Sequence, residues 1–213
     1  MFVLCFIVAV LLSYFLGCFN GALIVSKYIL HDDVRSHGSG NAGLTNFYRV
    51  FGGKLTAVVI ICDLLKAVVA ILIGMVLIGR YPGWLILSKY ISGLACMLGH
   101  MFPCMFQLKG GKGVLSGLAI VCMMDWRIAL IAVSLFVIAF ALTRMVSLGS
   151  VLAAFSFIIT SALLYRSLWI TVFAFVIGGL IIWRHRSNIG RIIRGEESRF
   201  QFHKKTDSEE GTR

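Results

Sequence analysis

The chain has 213 residues, of which 59% are hydrophobic and only 14% charged, and it carries a net charge of +11. Soluble domains have roughly a quarter charged residues, so a water-soluble fold is excluded and the surplus apolar surface must face lipid. The basic excess then reads as positive-inside bias and attraction for anionic ligands or headgroups, and no nucleic-acid partner is expected.

Met1 to Ser26 carries no charge. A signal peptide needs a basic start and a short apolar core, so this stretch reads as a first spanning helix. Spanning takes about 20 mostly apolar residues. Seven segments are predicted: Phe2–Val25, Leu55–Gly79, Gly83–Met101, Gly113–Met124, Ile128–Thr143, Met145–Tyr165 and Ser167–Trp183. The fourth is short: its 12 residues reach only about 18 Å at 1.5 Å each, against a bilayer core of about 30 Å. Either the Lys-Gly-rich stretch before it lies at membrane depth, or the segment is re-entrant.

Charge counting decides. With seven crossings and the N-terminus outside, the inner side holds 15 Lys and Arg and the outer side only Arg80, Arg127 and Arg166. If the fourth segment does not cross, the split becomes 8 inside against 10 outside. The positive-inside rule selects seven crossings. The expected fold class is therefore an all-α polytopic integral membrane protein with seven transmembrane helices, N-terminus outside and C-terminus cytoplasmic. Residues 1–199 form one membrane domain, and residues 200–213 form a polar tail expected to be disordered. Three polar stretches then share the cytoplasmic side: His31–Lys54, Phe106–Gly113 and Arg184–Arg199.

The first contains Gly38-Ser-Gly-Asn-Ala-Gly43. It matches GxGxxG literally but lacks the strand, the βαβ unit and the acidic residue of a dinucleotide site. Glycine-exposed amides ahead of a helix starting near Thr45 make an anion site. Ser39, Asn41, Thr45 and Asn46 add neutral hydrogen-bonding groups, and Arg49 offers a fork that fits phosphate. The alternative is a glycine-rich surface turn with Arg49 on a lipid headgroup.

The second stretch has Gly99-His100, Pro103 and Lys109-Gly-Gly-Lys-Gly113. Phe106 and Gly113 stand where a Walker A loop needs Gly and Ser or Thr, so it is no P-loop. Lys109 and Lys112, with amides from Gly110, Gly111 and Gly113, still suit an anion. A basic membrane anchor is the alternative, and His100 alone is as readily a structural hydrogen bonder. In the third stretch His185 and Asn188 share a helical face that Arg191 extends, and Glu196 can neutralise a neighbouring cation. Arg184, Arg186 and Arg194 read as an ordinary basic flank. Asp63 and Lys66 sit inside the second span at i and i+3, either a self-satisfied pair or a functional one. The six cysteines make no metal or disulfide pattern, and no metal or cofactor is expected.

These stretches together resemble the acyl phosphate:glycerol-3-phosphate acyltransferases, the PlsY family, along nearly the whole chain. The matching runs are Gly38-Ser-Gly-Asn-Ala-Gly-Leu-Thr-Asn46 with Arg49, then Gly99-His100, Pro103 and Leu108-Lys-Gly-Gly-Lys-Gly113, then Asn188-Ile-Gly-Arg-Ile-Ile-Arg-Gly-Glu196. Leu44, Leu108 and Ile192 replace the usual Ala, Phe and Leu. The resemblance implies transfer of a fatty-acyl group from a long-chain acyl phosphate to the sn-1 hydroxyl of glycerol-3-phosphate. The products would be lysophosphatidic acid and phosphate, on the cytoplasmic side of a bacterial inner membrane, with membrane lipid around the protein. A separate peripheral enzyme would form the acyl phosphate. Ser39, His185 and Asn188 are the expected catalytic residues. Gly40, Asn41, Thr45, Asn46, Arg49, His100, Lys109, Gly110, Gly111, Lys112, Gly113, Arg191 and Glu196 are the expected substrate contacts. Amides around Gly110–Gly113 are expected to stabilise charge on the acyl carbonyl. A transporter of a phosphorylated metabolite is the rival, but it should show repeats and midplane binding groups.

Overall fold

A computed structural model describes residues 1–201. They are helical without strands: α1 Phe2–Cys18, α2 Gly21–Ile24, α3 Leu44–Phe51, α4 Leu55–Leu77, α5 Leu85–Met101, α6 Val114–Met124, α7 Trp126–Thr143, α8 Val146–Tyr165, α9 Leu168–Arg184 and α10 Arg186–Ile193. Four of the described helices are long and apolar enough to cross a membrane, and up to six spans result if each bent pair counts as one. Large apolar side chains such as Leu142, Leu168, Trp126 and Phe175 stand exposed around the bundle, as lipid contact requires.

The short α6 runs back along α5 in the opposite direction. Its first residue follows Gly113, which packs on Met97 and Met101 at the end of α5. Its last residue, Met124, accepts a hydrogen bond at its carbonyl from Lys89 Nζ, near the start of α5 (3.3 Å). Beyond it, Asp125 caps α7 by accepting from Arg127 N (2.9 Å) and receives Tyr165 Oη from the end of α8 (3.4 Å). Phe2, Tyr81 and Trp84 meet at this same end. The three polar stretches meet at the other.

The first predicted span is not one helix. α1 stops at Cys18, and α2 leaves at 47° after Phe19 and Asn20, running on through a π-helical turn, Val25–Ile29. A break at membrane depth frees backbone groups that must find partners inside the protein. Asn20 Oδ1 accepts from Leu23 N (3.1 Å), and its Nδ2 donates to Ala42 O (3.0 Å). Gly21 N donates to Asp63 Oδ1 (3.2 Å), and Lys66 Nζ donates to Phe19 O (3.0 Å). Asp63 and Lys66, 2.7 Å apart and almost fully buried, thus hold the break as well as each other. A second bend, of 58°, separates α9 from α10 at His185.

The tail expected from residue 200 begins with a packed residue. Phe200 N donates to Arg144 O (2.8 Å), and its ring stacks on Tyr48 at 5.5 Å. The remainder of that tail, 202–213, lies outside the described residues.

Helices α1 and α5 approach through Gly17 and Gly99, as small residues allow in membrane bundles. A Cβ on Gly99 would come within 2.9 Å of Cys18 N and Gly17 Cα. Gly99→Leu is expected to destabilise the bundle by about 1–3 kcal/mol or more, lowering the midpoint of thermal unfolding in detergent by several degrees. An unchanged midpoint would mean the two helices do not meet at this face.

Candidate active site

The first polar loop is built around Asn46, buried on α3. Its Oδ1 accepts from Ser39 N (2.8 Å), and its Nδ2 donates to Val34 O and His37 O (3.0 Å each). Asn46, expected to touch substrate, uses its amide to fold the loop that presents Ser39, and it also lines the site cavity. Gly38 and Gly40 turn the chain at φ +57° and +67°, where glycine adds no strain. Arg35 clamps this loop to the next. It grips Asp33 at 2.6 Å and donates through Nη1 to Phe106 O (3.1 Å) and Lys109 O (3.3 Å). Its guanidinium holds the Asp33 carboxyl below the usual carboxylate range.

In the second loop, Gly110 N donates to Met101 O (3.1 Å) and Gly111 N to His100 O (3.2 Å). Their carbonyls accept from Arg184, 2.9 Å at Gly110 and 3.2 Å at Gly111. These two amides therefore cannot stabilise a substrate carbonyl as the sequence suggested. Arg184 is not an idle basic flank but a clasp on this loop. Gly111 is buried behind the cavity wall, where a Cβ would lie 2.6 Å from Ala42 O.

The third stretch starts at the α9–α10 bend. His185 Nδ1 lies 2.8 Å from Ile181 O. A carbonyl only accepts, so Nδ1 carries the hydrogen and Nε2 is left as an acceptor. Lys112 Nζ donates to Asn188 Oδ1, and Asn188 Nδ2 donates to Glu197 Oε1 (2.6 Å). Glu197 also accepts from Ser147 Oγ (2.7 Å) and, at Oε2, from Arg191 Nε (2.7 Å). Burial alone would raise the Glu197 carboxyl, but these hydrogen bonds hold it below its ordinary value. Burial pulls the Lys112 amine down to about 8, against the opposing pull of Glu197.

Glu196 is a correction. It is exposed and pairs with Arg194 at 2.8 Å, while Glu197 beside it is buried in the site. The family pattern closes on Gly-x-Glu, and the residue two after Gly195 is Glu197, so the signal was present. Arg35, Ser147 and Arg184 carried no such signal.

Two cavities meet here. One, of about 690 Å³, runs from Thr45, Arg49, His100, Gly113, His185, Asn188 and Glu197 into a groove walled by Leu118, Val133, Phe136 and Phe140. The other, of about 710 Å³, is polar, and is lined by Arg35, Gly40, Lys109, Gly110, Arg184 and Arg186. Ser39, Asn41, Lys112 and Arg191 belong to both and stand at the junction. Arg49 is exposed at the rim, donating to Ser198 Oγ (3.1 Å).

A family model described as glycerol-3-phosphate acyltransferase matches residues 7–195. A glycerol-3-phosphate acyltransferase of Thermoanaerobacter sp. (strain X514) is 37% identical over 193 residues, 91% of this chain and 94% of that protein. That of Finegoldia magna is 33% identical over 190 residues, 89% and 93% of the two chains. A crystal structure of PlsY, an integral membrane glycerol 3-phosphate acyltransferase in its glycerol 3-phosphate form, superposes with a TM-score of 0.82. It is 35% identical, covering 92% of this chain and 96% of that one. The lysophosphatidic acid form superposes at 0.79 with 34% identity, covering 92% and 95%.

Two adjacent glutamates give an internal control. Glu197→Gln removes the charge that organises Lys112 through Asn188 and pairs with Arg191. Charged hydrogen bonds contribute about 1.5–3 kcal/mol, so glycerol-3-phosphate acylation is expected to fall by about 10- to 100-fold. Glu196→Gln is expected to match the wild type. Equal effects of the two substitutions would refute the placement.

Proposed function

The chain belongs to the glycerol-3-phosphate acyltransferase family, and from that premise we propose that it transfers a fatty-acyl group from acyl phosphate to the sn-1 hydroxyl of glycerol-3-phosphate. The products are lysophosphatidic acid and phosphate. The observation that carries this reading is the meeting of a cationic cavity and an apolar groove at Ser39, Asn41, Lys112 and Arg191.

Glycerol-3-phosphate enters the polar cavity, where Arg35, Lys109, Arg184 and Arg186 supply positive charge. The acyl chain lies along Val133, Phe136 and Phe140. Acyl phosphate bonds its phosphoryl group directly to the acyl carbon, so its negative charge falls at the junction, beside Lys112 and Arg191. A thioester donor would bring no charge to that point. The sn-1 oxygen attacks the carbonyl carbon, the bond from that carbon to the phosphate oxygen breaks, and phosphate leaves. The hydroxyl proton passes to the departing phosphate, directly or through His185 Nε2. Because the donor is already activated, holding both substrates in line supplies much of the rate.

We read the bundle as seven crossings with the N-terminus outside, because α6 runs back along α5 and the positive charges then gather on one side. The site then opens on the cytoplasmic side of the bacterial inner membrane, where a peripheral enzyme supplies the acyl phosphate. A transporter is disfavoured because the cationic groups cluster at one end and the groove beyond them is apolar.

The test is phosphate release from palmitoyl phosphate by purified protein. It is expected to depend on added glycerol-3-phosphate, and release that ignores the acceptor would overturn the reading. The pH profile follows from Lys112. An amine with a pKa of about 8 is cationic below that pH and neutral above it. The KM for acyl phosphate is therefore expected to climb above pH 8, by up to about tenfold per pH unit. Lys112→Arg, which keeps its proton, should flatten that limb.

A further inference from the structure

The Asp63–Lys66 pair does more than mend α1. Lys66 Nζ lies 2.7 Å from Asp63 Oδ1, 3.0 Å from Phe19 O and 2.8 Å from His100 Nδ1. An ammonium has three hydrogens and no lone pair, so all three neighbours must accept. His100 Nδ1 therefore carries no hydrogen. Asp63 Oδ1 is 3.7 Å from the same nitrogen, beyond hydrogen-bond distance. The two buried charges cancel each other and leave the imidazole neutral, with its single hydrogen on Nε2.

That second nitrogen lies on the side of Gly111, where a Cβ would run into it. The ring lines the acyl cavity together with Asp63. No acceptor among the described residues is given a hydrogen bond by Nε2, and the atom is not among the sealed, partnerless ones. His185, in the same cavity, is held the opposite way round, with Nδ1 donating to Ile181 O. One histidine thus offers a donor and the other an acceptor.

Acyl transfer needs both. The attacking hydroxyl must hand on a proton, and the carbonyl oxygen gains charge that it did not have in the ground state. Gly110 and Gly111 give their amides to Met101 and His100 carbonyls, so a donor is wanted. Lys112 and Arg191 stand where phosphate charge is permanent. A neutral N–H suits charge that is only transient, because it favours the transition state over the ground state.

We propose that Lys66, paired with Asp63, is a positioning residue that fixes His100 with its hydrogen on Nε2, and that this N–H donates to the acyl carbonyl oxygen as the transition state forms. The inference rests on the acyltransferase reading.

The tautomer is read without substrate, from nitrogen NMR of histidine-labelled protein in detergent, with the His100 signal identified by its loss in His100→Gln. Nδ1 is expected bare and Nε2 protonated. The kinetic arm compares two variants at one position. Removing an oxyanion donor costs about 100-fold or more in kcat, so His100→Ala should lose that much with KM barely changed. His100→Gln, whose amide nitrogen can occupy the Nε2 place, should recover most of it. Asp63→Asn with Lys66→Met removes both charges together. In that pair the His100 tautomer should lose its single state, and kcat should drop with it. A hydrogen on Nδ1 in the wild type, or His100→Ala at full kcat, overturns the inference even if the double variant does not fold. A wild type that transfers no acyl group sinks the acyltransferase reading instead, while the spectrum still reports the tautomer.

Discussion

The interaction on which the site depends is a carboxylate and an ammonium buried together inside a lipid-facing helical bundle. Neither charge could stay there alone, since breaking such a pair leaves an uncompensated buried ion, at about 3–5 kcal/mol. Asp63 and Lys66 also complete the backbone of the broken first span, through Gly21 N and Phe19 O. The break in turn sets Asn20, which reaches Ala42 O in the first polar loop. Lys66 reaches His100, whose carbonyl receives the amide of Gly111 in the second loop. Two segments far apart in sequence are thereby referenced to one ion pair.

The cations around the cavities are held by a common device. Four of the basic side chains that shape the site have a fixed oxygen partner. Arg35 has Asp33 and two carbonyls, Arg184 has the Gly110 and Gly111 carbonyls, Lys112 has Asn188, and Arg191 has Glu197. The neutral oxygens of Asn188, Gly110 and Gly111 hold Lys112 and Arg184 in place without cancelling their charge, while Asp33 and Glu197 offset part of the charge of the arginines they fix. A phosphorylated ligand then meets a field that is already arranged, and little reorganisation accompanies binding. The apolar groove beside it follows from α7 and α8 turning Phe136, Phe140 and Ala153 toward the bundle interior while Leu142 and Phe155 face lipid.

Much of this was legible in the residues. Apolar run lengths gave helical spans, and charge asymmetry put the polar stretches together. Residue types at close spacing marked Ser39, Lys112, His185, Asn188 and Arg191 as a group that the structure brings around two joined cavities. What misled was chemistry read without direction. Asn46 has the right amide, but turns it on its own loop. Gly110 and Gly111 expose amides in principle, yet their hydrogens point at α5. Two consecutive glutamates are equivalent in composition, and only the turn at Gly195 sends Glu197 inward and Glu196 out.

The amino-acid sequence by itself determined the solvent, the helical class and the chemical kind of ligand. Each of these is a sum over residues: apolar content sets what must face lipid, and clustered cations with glycine set what can be bound. Tertiary structure alone decided the break in the first span, the roles of Asp63, Lys66 and Arg184, and which nitrogen of His185 holds its hydrogen. Hydrogen bonds are short and directional, so the role of a polar group depends on which atom from a distant segment arrives within about 3 Å of it. That arrival is set by how the helices pack, and nothing local in the chain encodes it.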